Sequence, residues 1–247
     1  MSDYNAAQAG LQLWAEFVND IEGLRVAQDN RVRSLEAEGV PIEAWQAAAT
    51  QLQALEKHAV GHLERAMKTH PLGDFVKRTK GLGFKQMGRL LAALGDPIYN
   101  EAEERYRRGP AELWKYCGMA PDQRKQKGVR AAWNHAAKKR AWLITESCIK
   151  AVATDSRDAS PYRVLYDECR EQYADRVHVV DCKQCGPSGK PALAGSPLSD
   201  GHKHAMAKRR MMKELLKDLY NERKFQVGMS EGKLVVATPA ASLVAAQ

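Results

Sequence analysis

Two long proline-free stretches at the start of the chain, separated by Gly39-Val40-Pro41, restrict its fold more than any other feature. In both stretches apolar residues recur at steps of three and four, which is the period of an amphipathic helix. A proline is well placed in the first turn of a new helix. The sequence therefore predicts a mainly α protein that begins with an antiparallel helical hairpin, or coiled coil, over residues 1–70. The apolar positions of the two stretches include Leu11, Trp14, Val18 and Ile21, then Ile42, Trp45, Ala49 and Leu52.

A two-helix hairpin buries too little apolar surface to be stable alone. It should pack against the rest of the chain, against a second copy in a homodimer, or against another protein. The candidate partner-binding residues are Leu11, Trp14, Val18, Ile21, Trp45 and Leu52. His58 and His62 have a metal-compatible spacing, but no third ligand is evident, so we interpret them as helix-surface histidines.

Charge is unevenly distributed along the 247 residues. Residues 1–70 hold ten acids and six bases, and the remainder holds 20 acids and 32 bases. A basic body behind a mildly acidic helical end favours a polyanionic partner for the body. The alternative is a basic protein with no such partner.

The sequence predicts no membrane partner, because it has no apolar run of about 18 residues. Its N-terminus lacks the basic and apolar regions of a secretory signal. Five cysteines are an odd number for a disulfide framework. We therefore expect reduced thiols and a cytoplasmic location, in a bacterial or phage-infected host cell.

The segment around Gly81-Leu82-Gly83 is typical of a helix-hairpin-helix. Glycines permit close approach of the backbone, and free amides at the start of the second helix can hold a phosphate. The candidate nucleic-acid contacts here are Gly81, Gly83, Lys85 and Arg89. The alternative is a purely structural turn.

A second basic segment, Gln123 to Arg140, contains no acid. Cations at this density repel one another unless something neutralises them, and phosphates are the natural candidate. A solvated face without function is the alternative. The candidate contacts are Arg124, Lys125, Lys127, Arg130, Lys138, Lys139 and Arg140; Trp133 and Trp142 are expected in the core.

The segment CKQCGPSGKPALAGSPLSDGHKH combines a C-x2-C pair with two later histidines. Zinc in structural sites takes four nitrogen or sulfur ligands in a tetrahedron, so Cys182, Cys185, His202 and His204 predict a structural zinc loop over residues 178–204. His202 and His204 would point to opposite sides of a helix, so His178 or Cys169 could replace one of them. A redox pair or a loop without metal are the alternatives.

Several segments in order resemble the C-terminal helical domain of DEDD-type, guide-RNA-associated insertion-sequence transposases. They are GLGFKQMGRLLAALGDP, AELWKYCGMAP, the basic segment, KKRAWLITESCIKAV, SPYRVLYDECRE and HKHAMAKRRMMKELLKDLY. The resemblance covers roughly Pro71 to Glu222 and implies a helix-hairpin-helix domain preceded by a coiled coil. The family's Tyr-x-Gly…Pro motif matches Tyr116, Gly118 and Pro121.

Two departures from that family bear on chemistry. The chain begins where the coiled coil would begin, so we expect the four-carboxylate nuclease domain to be missing. The loop after Pro121 has no serine at the place of the family's nucleophile, and Ser147, Ser156 and Ser160 lie outside the matching position. We expect Ser156 or Ser160 to cap a helix before Pro161. The resemblance therefore implies a nucleic-acid-binding domain without enzymatic activity.

These patterns predict a hairpin at 1–70, a basic transposase-like domain at 71–225 and a flexible tail at 226–247, with a short β-like run at Lys233 to Ala237. The function expected is that of a non-catalytic accessory factor in DNA recombination, which binds DNA, or RNA, and docks a recombinase through the hairpin. In outline it is similar to phage recombination directionality factors of serine integrases. The alternatives are a divergent active transposase or recombinase, and a regulator that binds only protein.

Overall fold

A computed structural model describes residues 2–121, 123, 127–155, 157–183, 185–186 and 190–230. The predicted mainly α class is confirmed for these residues. The helices are α1 (Ser2–Ala37), α2 (Glu43–Thr69), α3 (Gly73–Arg78), α4 (Phe84–Leu94), α5 (Pro110–Tyr116), α6 (His135–Lys150), α7 (Pro161–Gln172) and α8 (Asp200–Ser230). Strands β1 (Tyr99–Asn100) and β2 (Arg105–Tyr106) pair antiparallel around a 3-10 turn at Glu101–Glu103. No helix within the described ranges has both the length and the apolar character needed to cross a bilayer.

The chain divides into two compact units. Unit 1 contains the residues up to Lys77 together with Gly83–Asp96, and unit 2 contains Arg78–Leu82 and the chain from Pro97 onward. This division differs from the sequence-based boundary at residue 70, because α4 packs on α1 and α2.

Unit 1 is built on three helices, α1, α2 and α4, each in contact with the other two. Gly88 allows α4 to lie close to α1 and α2, since a Cβ there would lie 3.1 Å from Leu63 Cδ1 and 3.3 Å from Leu11 Cδ1. Met87, Leu90 and Leu91 beside it are fully buried. The amphipathic faces of α1 and α2 thus find an apolar partner within the same chain.

The polar contacts between α1 and α2 pair the start of one helix with the end of the other. Trp14 stacks on His62 with ring centroids 4.4 Å apart, and Arg25 Nε donates to Glu56 Oε2 at 2.5 Å. Gln28 Nε2 donates to the Trp45 carbonyl at 3.2 Å. His58 and His62 lie at the helix surface, with their Nε2 atoms 3.4 Å apart.

Unit 2 is organised around α8, which contacts α5, α6 and α7. In this helix five apolar residues recur at steps of three and four, and all five are buried: Met211, Met212, Leu215, Leu216 and Leu219. The helix continues to Ser230, so residues 226–230 are helical and the predicted tail begins too early. The predicted β-like run at Lys233 to Ala237 lies outside the described residues.

Candidate metal centre and basic surface

The segment between α7 and α8 is held in a folded-back conformation by backbone hydrogen bonds. His178 N donates to Ser196 O at 2.8 Å, and Gly195 N donates to His178 O at 2.8 Å. Further along, Cys182 and Ala192 exchange two backbone hydrogen bonds of 2.8 and 2.9 Å. This ladder places His178, Cys182 and Cys185 on one side of the segment, next to the first turn of α8.

Four side chains converge there: His178, Cys182, Cys185 and His202, with one potential ligand atom each and all four atoms within 4.8 Å of one another. His202 Nδ1 lies 3.2 Å from Cys185 Sγ and 3.9 Å from Cys182 Sγ. A tetrahedral zinc with ordinary Zn–S and Zn–N bonds separates sulfur from nitrogen by about 3.6 Å. The two distances lie on either side of this value, so the arrangement fits a tetrahedral ion.

His178 supplies a second indication of a ligand site. Its side chain is 4% exposed, and its buried Nε2 has no hydrogen-bond partner among the described residues. Buried polar atoms in folded proteins are generally paired, because an unpaired one loses its hydration without compensation. A metal ion bound at this nitrogen would satisfy it.

The pKa of Cys185 in the cluster is shifted in the opposite direction to the pKa of each of the three buried cysteines, Cys117, Cys148 and Cys169. The Ser199 hydroxyl, hydrogen bonded at 3.1 Å, lowers the pKa of Cys185. Burial raises the pKa of Cys117 and Cys148 to about 12, and it raises that of Cys169. Since the thiolate is the form that binds metal, the cluster favours metal binding whereas the core cysteines do not.

The cluster corrects the fourth ligand expected from the sequence. His204 is not part of it, because its Nδ1 lies 2.8 Å from the hydroxyl of Tyr166 on α7. Two residues apart on a helix, His202 and His204 point in different directions, and only His202 faces the loop. Cys169 is buried on α7 and is not in the cluster. In the sequence, the feature that points to His178 as a member of the cluster is its position four residues before Cys182.

The basic residues between Gln123 and Arg140 fall into two groups. Lys127, Arg130 and Lys139 are exposed, and none of the three is paired with a carboxylate among the described residues. Lys138 Nζ instead donates to the Gly118 carbonyl at 3.2 Å and lies 4.8 Å from the Trp133 ring centroid. Arg140 is 8% exposed, so it is not a surface contact. Arg124 and Lys125 lie outside the described residues.

The glycine turn for which the sequence predicts phosphate binding has a packing role at Gly81. Gly81 has φ +93°, and a Cβ there would lie 2.9 Å from Ser160 Oγ and 3.1 Å from Cys148 Cα. This glycine is thus required for packing within unit 2. Gly83 has an ordinary φ of −106° and opens α4 without a side-chain cap.

Two predicted phosphate contacts near that turn are engaged within unit 1. Arg89 is 3% exposed and forms hydrogen bonds and an ion pair with Asn19 and Glu22. Lys85 Nζ lies 3.4 Å from Glu56 Oε1. Burial of Arg89 removes it from any nucleic-acid surface, which is a correction of the sequence-based prediction.

The Tyr-x-Gly…Pro segment forms the junction between α5 and α6. Asn134 caps α6 by accepting from Ala137 N at 2.9 Å, and its amide donates to the Tyr116 hydroxyl at 2.8 Å. Gly118 has φ +67°, and a Cβ there would lie 2.6 Å from the Trp133 ring. These contacts give the segment a structural role.

Trp142 is 37% exposed, with Lys208 Nζ 3.2 Å from its ring centroid, so it lies nearer the surface than expected.

Half of the predicted partner-binding residues are buried within unit 1. Leu11 and Val18 are fully buried and Ile21 is 3% exposed, because α2 and α4 cover this face of α1. Trp14 stacks on His62 and Leu52 is half-buried. Trp45 is 47% exposed and stays accessible.

The serines that follow the predicted nucleophile position differ in their environments. Ser160 precedes α7 but makes no side-chain cap. It is fully buried, and its Oγ has no hydrogen-bond partner among the described residues. Ser147 is exposed on α6. Ser156 lies outside the described residues.

Comparison of the chain with models of protein families, with curated proteins and with solved structures gives no match.

Proposed function

We propose that this protein is a non-catalytic accessory factor in DNA recombination, which binds a nucleic-acid backbone and docks a recombinase. The observation that carries the proposal is that Lys127, Arg130 and Lys139 are exposed and form no ion pair with a carboxylate among the described residues. The recombination setting comes from the transposase-like segments of the sequence.

Charge separation between the two units supports the backbone-binding part. Unit 1 has 12 acids and nine bases, whereas unit 2 has 18 acids and 29 bases. A net +11 on unit 2 attracts a polyanion from solution. Exposed cations that are not paired with a carboxylate of the described residues are available for phosphates. Contacts of this kind position a protein on DNA or RNA without reading its sequence.

The non-catalytic part of the proposal concerns the loop after Pro121. Where the similar transposases carry a nucleophile, this chain has no serine or threonine. Ser160, the candidate serine before α7, is enclosed by packing and has no base bonded to its Oγ among the described residues. A serine nucleophile needs an activating partner within hydrogen-bond reach.

We propose that the His178, Cys182, Cys185 and His202 cluster binds zinc. With four protein ligands a zinc ion leaves no position open for substrate or water, so its contribution is a cross-link between the α7–α8 segment and α8. For docking of a recombinase we propose the exposed part of the front helices, which includes Trp45.

The test is DNA binding at several salt concentrations by the wild type and by Lys127→Glu/Arg130→Glu/Lys139→Glu. The wild type should bind random duplex DNA with an affinity that falls steeply with salt, because each phosphate contact releases a counterion. The triple variant should bind at least tenfold more weakly and with a shallower salt slope. A matched control, Arg33→Glu/Lys57→Glu/Arg65→Glu, makes the same charge change at exposed positions of unit 1.

Equal losses in the two triple variants would attribute binding to net charge alone and contradict the assigned surface. No binding by the wild type at low salt would remove the nucleic-acid function and favour a regulator that binds only protein. A nicked or covalently trapped DNA product, lost on substitution of one serine, would instead establish an active recombinase.

A further inference from the structure

Ser199 lies at the junction between the metal cluster and α8. Its Oγ accepts a hydrogen bond from His202 N at 3.2 Å, and its carbonyl accepts from Lys203 N at 3.0 Å. The same Oγ lies 3.1 Å from Cys185 Sγ. One side chain thus caps the helix that carries one ligand and touches the sulfur of another.

The direction of these hydrogen bonds follows from the donors available. A backbone N–H can only donate, so Ser199 Oγ must use a lone pair towards His202 N. Its single proton is then free for Cys185 Sγ. A metal-bound thiolate can only accept, and an O–H directed at it is the arrangement that it requires.

We propose that Ser199 is a positioning residue of the metal centre, which orients the Cys185 thiolate and the His202 backbone through one hydroxyl. This inference rests on the proposed metal binding. Hydrogen bonds to metal ligands restrict their orientation and tune their donor strength, and removing such a partner typically weakens metal binding 10- to 100-fold. Ser199 also connects the ligand geometry to the start of α8, the helix around which unit 2 is organised.

The experiment uses the full-length protein titrated with Co²⁺, followed by competition with Zn²⁺. Cobalt bound by two thiolates gives a sulfur-to-metal charge-transfer band and d–d bands that report tetrahedral geometry. Loss of the O–H donor raises the energy of the sulfur lone pair. In Ser199→Ala the charge-transfer band should therefore move to longer wavelength, and the affinity for Co²⁺ should fall at least tenfold.

Three further variants separate the thiolate contact from the helix cap. Ser199→Thr keeps the hydroxyl and should restore both the band position and the affinity. Ser199→Gly loses the hydroxyl but keeps most of the capping preference, so it should behave as Ser199→Ala does in the cobalt spectrum. If Ser199→Ala does not fold, Ser199→Gly replaces it in the comparison with the wild type. Ser196→Ala, in the same loop, removes a hydroxyl that bonds to the Leu193 carbonyl and should leave the spectrum unchanged.

The outcomes distinguish this inference from the metal proposal. A wild type that gives no tetrahedral cobalt spectrum would overturn metal binding itself. A wild type that binds cobalt, with Ser199→Ala and Ser199→Gly identical to it in band position and affinity, would overturn the role of Ser199 alone. A loss of affinity without a band shift would show that Ser199 acts only as a helix cap, and it would also contradict the inference.

Discussion

Arg89 and Lys139 are both cations on helices of a basic chain, but Arg89 is 3% exposed whereas Lys139 is exposed. Arg89 is enclosed because its guanidinium meets Asn19 and Glu22, about 70 residues away in sequence. A buried cation is stable only when paired in this way. The sequence therefore gives the positions of the basic residues, but burial decides which of them can contact a phosphate.

Asp218 on α8 is a residue whose environment makes stability depend on pH. Burial raises the pKa of Asp218 to about 6, against a hydrogen bond of 2.8 Å from the Tyr162 hydroxyl that lowers it. Glu214 raises this pKa and Lys217 lowers it. Because the folded pKa lies above the unfolded value of 3.8, the folded chain binds more protons between the two values. The contribution of Asp218 to stability is present below about pH 4 and is lost as pH rises through about 6.

Asp218→Asn should remove this loss, since the amide cannot ionise. We expect its free energy of unfolding to match that of the wild type near pH 4 and to exceed it by on the order of 2 kcal/mol above pH 7. Urea unfolding of both proteins across this pH range measures the difference. Tyr162→Phe should move the change to higher pH because it removes a hydrogen bond that stabilises the carboxylate. A pH-independent difference between Asp218→Asn and the wild type would contradict the assignment.

The first turn of α8 and the segment before it determine which side chains form the His/Cys cluster. Residues two apart on a helix project about 200° apart, so His202 and His204 cannot both face the same loop. His202 meets the cysteines and His204 meets Tyr166. The fourth member of the cluster is His178, which the backbone ladder brings into place.

The variants His178→Ala and His204→Ala test which histidine completes the cluster, because the same chemical change is made at each position and the metal content is then compared. His178→Ala should lose bound zinc or bind it at least tenfold more weakly, and chelation should no longer lower its melting temperature. His204→Ala should retain one zinc per chain and remain sensitive to chelation. The measurement is zinc analysis after dialysis, with thermal unfolding in the presence and absence of a chelator. The reverse pattern would restore His204 as the ligand.

At the scale of the whole molecule, the chain crosses between the two units three times. Arg78–Leu82 belongs to unit 2, although the residues before and after it belong to unit 1. Lys80 Nζ bonds to the carbonyls of Val152 and Asp158, and Gly81 packs against Cys148 and Ser160. The stability of unit 2 therefore depends on the short segment that leads into the glycine turn.

Gly81→Ala should destabilise unit 2 by roughly 2 kcal/mol or more, because the added Cβ would collide with packed atoms and is strained at the positive φ of this position. Hydrogen exchange should accelerate in α6, α7 and α8. Gly39→Ala is the control: Gly39 has φ +72°, but no atom of the described residues lies within 4 Å of the place its methyl group would take, so only the backbone strain remains. Equal losses in the two variants, or faster exchange confined to α1 and α2, would contradict the packing role of Gly81.

The sequence by itself determined the helical class, the break at Gly39 to Pro41, the apolar side of α8 and the proximity of Cys182 to Cys185. Each of these follows from residues near one another in the chain, where helical period and spacing are sufficient. Only the tertiary structure decided that α4 joins the front helices, that Arg89 is buried, that Gly81 serves packing and that His178 completes the cluster. Those outcomes depend on partners tens of residues away, and no local period records which partner a side chain will meet.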